Sequence, residues 1–197
     1  DMRGMEYARA FERTSWDEFL QSTTNQPSPS RTLIHIMWLR DHEPENYRRI
    51  RKIMFTKDYI RYRLTGDFVT DYIDAMGSHF MDVPGNCWSP VLCGYAGITP
   101  EILPRIVDPT DEVGPITEKA AEETGLPRTI RIFAGTTDTV METYANGAIH
   151  EGDMVIKLAT AGRIISVTRG PLRQRGFVNY KHIVPGLWYP GAATRYC

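Results

Sequence analysis

The sequence predicts an α/β fold, and three stretches carry this prediction. In FAGTTDTVMETYANG, 133–147, an apolar run breaks at a glycine and resumes with helical spacing, as a strand followed by a helix would. TEKAAEETG, 117–125, has the composition and the end signals of a helix. From residue 153 onward the sequence becomes richer in β-branched residues, which is typical of strands. Strands and helices are therefore expected to alternate, with a β-rich part at the end.

Helices are expected along much of the chain before residue 125. Their patterns occur in LIHIMWLRDH (33–42), in ENYRRIRKI (45–53) behind Pro44, in TKDYIRYRLT (56–65) and in TEKAAEET (117–124). Gly66 and Gly125 stand where a left-handed residue ends a helix, and Thr117 stands where an N-cap begins one. Between these helices, DFVTDYIDAMGSHFMDV, 67–83, alternates like a strand at first and is expected to bend at Gly77.

The part after residue 153 is expected to begin with a β-hairpin. Its two apolar runs are VIKLAT, 155–160, and RIISVT, 163–168, and they join at Ala161–Gly162. The change in texture predicts a domain boundary near 147–152. We therefore expect a first domain over 1–150 and the start of a second over 151–197.

Composition and charge limit the class of protein. The 197 residues are 42% apolar and 24% charged, with a formal net charge of −1, so an ordinary globular protein is expected, and an electrostatic nucleic-acid or membrane binder is not. Cys87, Cys93 and Cys197 lack metal-site spacing and are expected to be free thiols. The longest apolar run, 33–39, is interrupted by His35, and no signal peptide is visible. These features predict a cytoplasmic protein.

The polar segment QSTTNQPSPSRT, 21–32, has two interpretations. Its prolines and small polar residues predict a surface connector. A loop of this polarity inside a compact domain can also line a binding site.

The stretch around Asp138 is the first candidate for chemistry. Ile130 to Phe133 is expected to be the end of a buried strand, and Gly135 gives the bend. Val140, Tyr144 and Ala148 then recur at intervals of four, as one face of a helix would. Asp138 would then lie beside a helix N-terminus at a strand end, where it can accept a proton from a substrate hydroxyl. The simpler interpretation is that Thr136, Thr137 and Asp138 only cap the helix.

The turn LATAG, 158–162, is the second candidate. Small residues at a tight turn leave backbone N–H groups free to bind an anion, but they are equally typical of an ordinary hairpin. No histidine pair has metal-ligand spacing, and no Ser/His/Asp arrangement can be defended.

Taken together and in order, several segments resemble those of the FGGY carbohydrate kinase family, and its xylulokinases most closely. The matching segments are DMR (1–3), TLIHIMWLRDH (32–42), KDYIRYRLTGDFVTDYIDAMGSHFMDV (57–83), AGTTDT (134–139), KLATAG (157–162) and WYPGAAT (188–194). The resemblance implies a two-lobed, RNase H/actin-like fold. Residues 1–150 would be the later part of the N-terminal lobe, and 151–197 the beginning of the C-terminal lobe.

The resemblance also implies an activity and a set of site residues. The activity is phosphorylation of D-xylulose by ATP with Mg²⁺, giving D-xylulose 5-phosphate and ADP. Asp138 would be the catalytic base and bind the sugar together with Thr139. The nucleotide phosphates would contact the turn formed by Ala159, Thr160, Ala161 and Gly162. No metal ligand is implied within this segment, and a homodimer stays open.

Some residues depart from the family pattern. His35 replaces a lysine, Thr136 and Thr137 replace glycines before the aspartate, Ala159 replaces a glycine of the phosphate turn, and Arg195 replaces an asparagine. The two threonines reduce the backbone freedom that glycines would give. These departures concern details of the site.

Two alternatives to a xylulose kinase stay open. One is a kinase of the same family for ribulose, another sugar or a polyol such as glycerol. The other is a non-catalytic remnant or binding module, should 197 residues be the whole natural product. We expect instead that the chain is the central segment of a longer enzyme, inactive when isolated.

Overall fold

The fold is described from a computed structural model that covers residues 2–158 and 162–193. Within these ranges it contains nine α-helices: α1 (Met5–Thr14), α2 (Trp16–Thr23), α3 (Thr32–His42), α4 (Pro44–Arg48), α5 (Thr56–Thr65), α6 (Tyr72–Ser78), α7 (Pro90–Tyr95), α8 (Glu118–Thr124) and α9 (Asp138–Ala145). A short 3₁₀ helix spans Pro100–Ile102. None of the helices in the described part is long and apolar enough to cross a membrane.

Within the same ranges, short strands pair in four small sheets. The strands of the described ranges are β1 (Val69–Asp71), β2 (Met81–Asp82), β3 (Cys87–Trp88), β4 (Arg105–Val107), β5 (Glu112–Pro115), β6 (Arg131–Phe133), β7 (Met154–Lys157), β8 (Arg163–Ser166) and β9 (Gly191–Ala193). Strands β1 and β4 are parallel, whereas β2–β3, β5–β6 and β7–β8–β9 are antiparallel. The mixture of helices and short sheets confirms the α/β class.

Most helix ends follow the local signals in the sequence. Gly66 ends α5 with a φ of 80°, and Gly125 ends α8 with a φ of 72°. The Thr117 side chain accepts a hydrogen bond from the Ala120 N–H and caps α8. Pro44 begins α4 as expected, although this helix ends at Arg48 rather than near residue 53.

The predicted bend at Gly77 is wrong. Gly77 lies inside α6, and the residue with a left-handed backbone is His79, with a φ of 65°. The Asp71 side chain caps α6 by accepting hydrogen bonds from the N–H groups of Ile73 and Asp74. This cap starts a helix directly after β1, so the chain turns only where that helix ends.

The predicted burial of Phe133 is wrong. Phe133 of β6 is 47% exposed, because β6 pairs only with β5 among the described strands, and the Arg131 guanidinium lies 5.1 Å from the centre of its ring. The predicted helix face holds only in part: α9 buries Val140 and Thr143, whereas Tyr144 is 48% exposed. Ala148 is buried but lies beyond the end of α9.

An apolar cluster brings the candidate site together. Ile73 of α6, Val140 of α9, Ile165 of β8 and Tyr189 pack against one another, and each is at most 2% exposed. The cluster therefore fixes the beginning of α9 beside β8. The domain boundary near 147–152 stays a prediction.

The segment 21–32 is not the surface connector that its composition predicts. Thr23, Thr24 and Asn25 are buried. The Asn25 Nδ2 donates to the Asn179 carbonyl at 2.8 Å, and the Asn179 N–H donates to the Asn25 Oδ1 at 2.7 Å. Asn179 is itself 1% exposed. These polar side chains are buried because they satisfy backbone groups from the opposite end of the described chain.

Candidate functional site

The candidate site begins at the turn between β6 and α9. Gly135 has a φ of 67°, a left-handed conformation that favours glycine, and it reverses the chain after β6. Thr137 is the N-cap of α9, and its Oγ1 accepts a hydrogen bond from the Val140 N–H at 3.5 Å. Asp138 is the first residue of the helix, so of the three predicted capping residues only Thr137 occupies the cap.

The Asp138 carboxylate is exposed at the N-terminus of α9. Its Oδ1 accepts hydrogen bonds from the Thr139 N–H at 2.7 Å and from the Thr139 Oγ1 at 3.4 Å. In the described part of the chain, no basic side chain forms an ion pair with this carboxylate. The helix dipole stabilises its negative charge, and its exposure allows it to accept a proton from a bound molecule.

Arg163 and Gly162 lie on the β8 side of this turn. The Arg163 Nη1 donates to the Thr139 Oγ1 at 3.5 Å, which connects β8 with the first turn of α9. Gly162 is buried directly before β8. The other residues of the predicted phosphate turn, Ala159, Thr160 and Ala161, lie outside the described residues.

A buried aspartate, Asp71, is hydrogen bonded to the turn. Thr136 is buried, and its Oγ1 donates to the Asp71 Oδ1 at 2.8 Å. Asp71 is fully buried at the end of β1, and the same oxygen accepts the two N–H groups that begin α6. One carboxylate thus joins the start of α6 to the turn that leads to Asp138.

Lys57 of α5 binds this aspartate and two others. Its Nζ lies 2.9 Å from the Asp71 Oδ2, 2.8 Å from the Asp58 Oδ1 and 3.3 Å from the Asp74 Oδ2. Asp58 is fully buried, as Asp71 is. Lys57 therefore neutralises carboxylates from three different elements, α5, β1 and α6, next to the turn.

Arg61 holds the backbone of the turn. Its side chain is 4% exposed, and its Nη2 pairs with the Asp58 Oδ1 at 2.8 Å. The same guanidinium donates to the carbonyl oxygens of Ala134 and Val69. The planar, multiply donating guanidinium suits this role, because it can bind one carboxylate and two carbonyls at once. Arg61 consequently fixes the end of β6 against β1.

The buried network shifts the pKa values of Asp74 and Lys57. Burial raises the pKa of Asp74 to about 6, with a further increase from the charge of Asp71, while Lys57 opposes the change. Burial lowers the pKa of Lys57, but the charges of Asp71 and Asp58 outweigh it and leave that pKa above its ordinary value. The network contains more carboxylates than cations, so Asp74 is the group that most readily takes up a proton.

The predicted sites do not include Lys57, Arg61, Asp71 or Thr136 as functional residues. The available signals were the Lys-Asp-x-x-Arg spacing of α5, which places the three side chains on one helical face, and an aspartate immediately before α6. Neither signal indicates that α5 and the start of α6 come together next to Thr136.

A cavity of about 520 Å³ lies elsewhere. Its lining includes Tyr72, Asp108, Lys181, His182 and Trp188 but not Asp138. Within residues 2–158 and 162–193, no group of three or more His, Cys, Asp or Glu side chains is arranged to hold a metal ion. We therefore identify no metal ligand among these residues.

Comparison with known proteins gives a family match and a set of relatives. Residues 1–144 match the N-terminal domain of the FGGY family of carbohydrate kinases. The chain is 33% identical over 175 residues to a xylulose kinase from Staphylococcus xylosus, a match that covers 88% of this chain and 36% of that protein. It is 31% identical over 176 residues to a xylulose kinase from Lactococcus lactis, covering 89% of this chain and 35% of that protein.

Solved structures agree with the family match. A xylulose kinase from Rhodospirillum rubrum superimposes with a TM-score of 0.91 at 27% identity, covering 98% of this chain and 40% of that one. A kinase from Brucella ovis, described as a xyloylose kinase, gives a TM-score of 0.92 at 23% identity and covers 100% of this chain and 41% of that one. These likenesses confirm the sugar-kinase fold of the actin-like type. The chain spans about a third of the length of the curated relatives named above.

Proposed function

The chain belongs to the FGGY family of carbohydrate kinases, and on that premise we propose that it is part of an ATP-dependent kinase that phosphorylates D-xylulose to D-xylulose 5-phosphate. The observation that carries the proposal is the similarity of nearly the whole chain to xylulose kinases at about 30% identity. The exposed carboxylate of Asp138 at a helix N-terminus supplies a group suited to the chemistry. Residues 1–150 and 151–197 would belong to the two lobes of the kinase.

In this proposal Asp138 is the general base. Its carboxylate takes the proton from the C5 hydroxyl of the sugar, and the oxygen of that hydroxyl bonds to the γ-phosphorus of ATP. The bond between this phosphorus and the β–γ bridging oxygen breaks, and ADP leaves with its electron pair. Such a transfer depends on positioning and charge neutralisation more than on covalent help, so one carboxylate is sufficient on the protein side.

The remaining proposed contacts surround this base. Thr139 binds the sugar beside Asp138, and the turn of Ala159, Thr160, Ala161 and Gly162 binds the phosphates through its backbone N–H groups. Mg²⁺, carried on the phosphates of ATP, supplies charge neutralisation. A small-molecule kinase of this kind acts in the cytoplasm and needs neither nucleic acid nor a membrane.

Asp138→Asn in the natural full-length protein tests the proposal. Asparagine has nearly the same shape but does not accept the proton, so we expect kcat to fall by about 10²- to 10⁴-fold, with sugar binding within a few-fold of wild type. Glu142→Gln is the matched control. It also removes a carboxylate from α9, but one that pairs with Lys157, and we expect wild-type turnover from it. Wild-type turnover by Asp138→Asn would overturn the role of this residue.

A substrate panel tests the choice of sugar. The purified full-length protein is assayed for ATP-dependent phosphorylation of D-xylulose, ribulose and glycerol. The highest kcat/KM is expected for D-xylulose. A preference for another member of the panel would replace the substrate, and no turnover of any of them would favour a non-catalytic protein.

A further inference from the structure

Arg163 differs from Lys57 and Arg61 in having no counterion among the residues that the structure describes. Its Nη2 is shielded from solvent and has no hydrogen-bond partner in the described part of the chain. No carboxylate of these residues forms an ion pair with its guanidinium, and its one hydrogen bond goes to the neutral Thr139 hydroxyl. Lys57 and Arg61, by contrast, are both paired with aspartates.

The surroundings of Arg163 hold its side chain at this place. Gly191 of β9 lacks a Cβ atom, which would lie only 3.2 Å from the Arg163 Nε. Tyr189, which is fully buried, interacts electrostatically with the guanidinium. The guanidinium is therefore packed between β9 and the first turn of α9 instead of extending into solvent.

A cation that is partly removed from water without a countercharge has a large desolvation cost. An anionic ligand at the same place would supply that countercharge. Arginine suits phosphate oxygens in particular, because its planar group can donate two parallel hydrogen bonds. The unpartnered Nη2 is a donor that such an oxygen could use.

The position of the guanidinium indicates which phosphate it would bind. Arg163 donates to the Thr139 Oγ1, and the same hydroxyl donates to the Asp138 Oδ1. Arg163 also directly follows Gly162, the last residue of the predicted phosphate turn. An anion held by Arg163 would therefore lie beside Thr139 and the proposed base Asp138, where the transferred group must pass.

We propose that Arg163 binds the γ-phosphoryl group of ATP and stabilises the negative charge that develops on it during transfer. This proposal rests on the function proposed above. It adds a catalytic residue to the machinery, one that touches the reacting group from the β8 side while Asp138 acts on the sugar hydroxyl.

Three substitutions in the natural full-length protein test this role. Arg163→Gln keeps the polarity but removes the charge, and we expect kcat to fall about 10²-fold and the KM for ATP to rise, with the KM for the sugar within about twofold. Arg163→Lys keeps the charge and should recover part of kcat. Arg131→Gln, the control, removes an exposed arginine that pairs with Glu112 and should behave as wild type.

Chemical rescue separates catalysis from folding. In Arg163→Ala, added guanidinium ion at non-denaturing concentration should increase kcat, which it cannot do if the arginine only stabilises the fold. ATP binding in the absence of sugar, measured by calorimetry, should weaken in Arg163→Gln and stay unchanged in Arg131→Gln. This binding is measurable even where turnover is too low to detect.

The outcomes distinguish this proposal from the function on which it rests. Loss of turnover in Asp138→Asn, together with wild-type kcat and KM for ATP in Arg163→Gln, would overturn only the role of Arg163. A rise in the KM for the sugar alone, or loss of activity without any rescue by lysine or guanidinium, would also overturn it. Wild-type turnover in Asp138→Asn, or no turnover in the unaltered protein, would overturn the proposed kinase mechanism and this role with it.

Discussion

Beneath the β6–α9 turn, each buried charge has a partner of opposite sign, whereas on the outer side of the turn Asp138 and Arg163 have no ion-pair partner within the described residues. We call the first group the floor and the second the rim. The floor consists of Lys57, Asp58, Arg61, Asp71, Asp74 and Thr136, and the rim of Asp138, Thr139, Gly162 and Arg163. Both groups adjoin the same short turn, so the difference between them lies in what each charge faces.

The comparison separates charges that hold the protein together from charges available to a ligand. Floor residues are buried or partly buried, and their polar contacts join α5, β1, α6 and the turn to one another. On the rim, Thr139 donates to the exposed Asp138 carboxylate and accepts a hydrogen bond from Arg163. Substitutions in the floor should therefore act mainly on stability, and substitutions in the rim mainly on binding and turnover.

Arg61→Met should have the largest effect on stability. It leaves the Ala134 and Val69 carbonyls without their donor and Asp58 with only Lys57 as a partner. Removing one partner of a buried ion pair costs about 3–5 kcal/mol, and we expect a decrease of this size in the free energy of unfolding in urea. Arg131→Met, which breaks an exposed pair with Glu112, should give no measurable change. Equal decreases in the free energy of unfolding for the two substitutions would contradict the conclusion that the floor contributes more to stability than exposed ion pairs do.

The excess of carboxylates in the floor should be visible in the pH dependence of stability. Asp74 has a pKa of about 6 in the folded protein, raised by burial and by Asp71, so the folded state binds its proton more tightly than the unfolded state does. Its contribution is then fully present below pH of about 4 and is lost as the pH rises through about 6. Relative to Asp74→Asn, the wild type should lose up to about 3 kcal/mol of stability between pH 4 and pH 8.

Urea denaturation of both proteins across this pH range measures the difference directly. The comparison with Asp74→Asn removes the contributions of all other titrating groups. A stability difference that is constant with pH, or one that grows in favour of the wild type as the pH rises, would contradict a raised pKa for Asp74.

Thr136→Val should have the smallest effect on stability, because it removes a single hydrogen bond to Asp71 and leaves the ion pairs in place. A decrease of about 1 kcal/mol in the free energy of unfolding is expected. Thr136→Ser keeps the hydroxyl and should lose less. Thr23→Val is a comparison of the same chemistry, since Thr23 is also buried and hydrogen bonded, but to the backbone of Phe19 and Asn25. If Thr136→Val lowered the free energy of unfolding as much as Arg61→Met, the contribution of the Thr136 hydroxyl to stability would exceed what one hydrogen bond explains.

The features that the sequence predicted well are those set by neighbouring residues. Thr117 and Gly125 delimit α8 through their own side chain and backbone, and Gly135 forms the bend before α9 because the chain there needs a left-handed residue. The position of Asp138 at the start of a helix followed from the same local pattern.

Features that depend on residues distant in the sequence could not be predicted from local patterns. Thr136 and Asp71 are 65 residues apart, and nothing in either local pattern indicates their hydrogen bond. Phe133 and Tyr144 have the spacing of buried residues, yet spacing alone does not reveal whether another layer covers them. The composition of the polar segment near Asn25 predicts an exposed connector. Local pattern does not reveal its burial, because its partner, Asn179, comes from the far end of the described chain.

The two hydrogen bonds between Asn25 and Asn179 also have a consequence for folding during translation. The two residues are 154 positions apart, so the corner after α2 cannot complete its hydrogen bonds until residue 179 has been translated. At the usual rate of about 5–20 residues per second, this interval lasts roughly 8–30 s on the ribosome. During that time the buried polar groups of the corner bind water instead. Closing so long a loop is slow in itself, and the corner should be among the last parts of the nascent chain to become resistant to proteases.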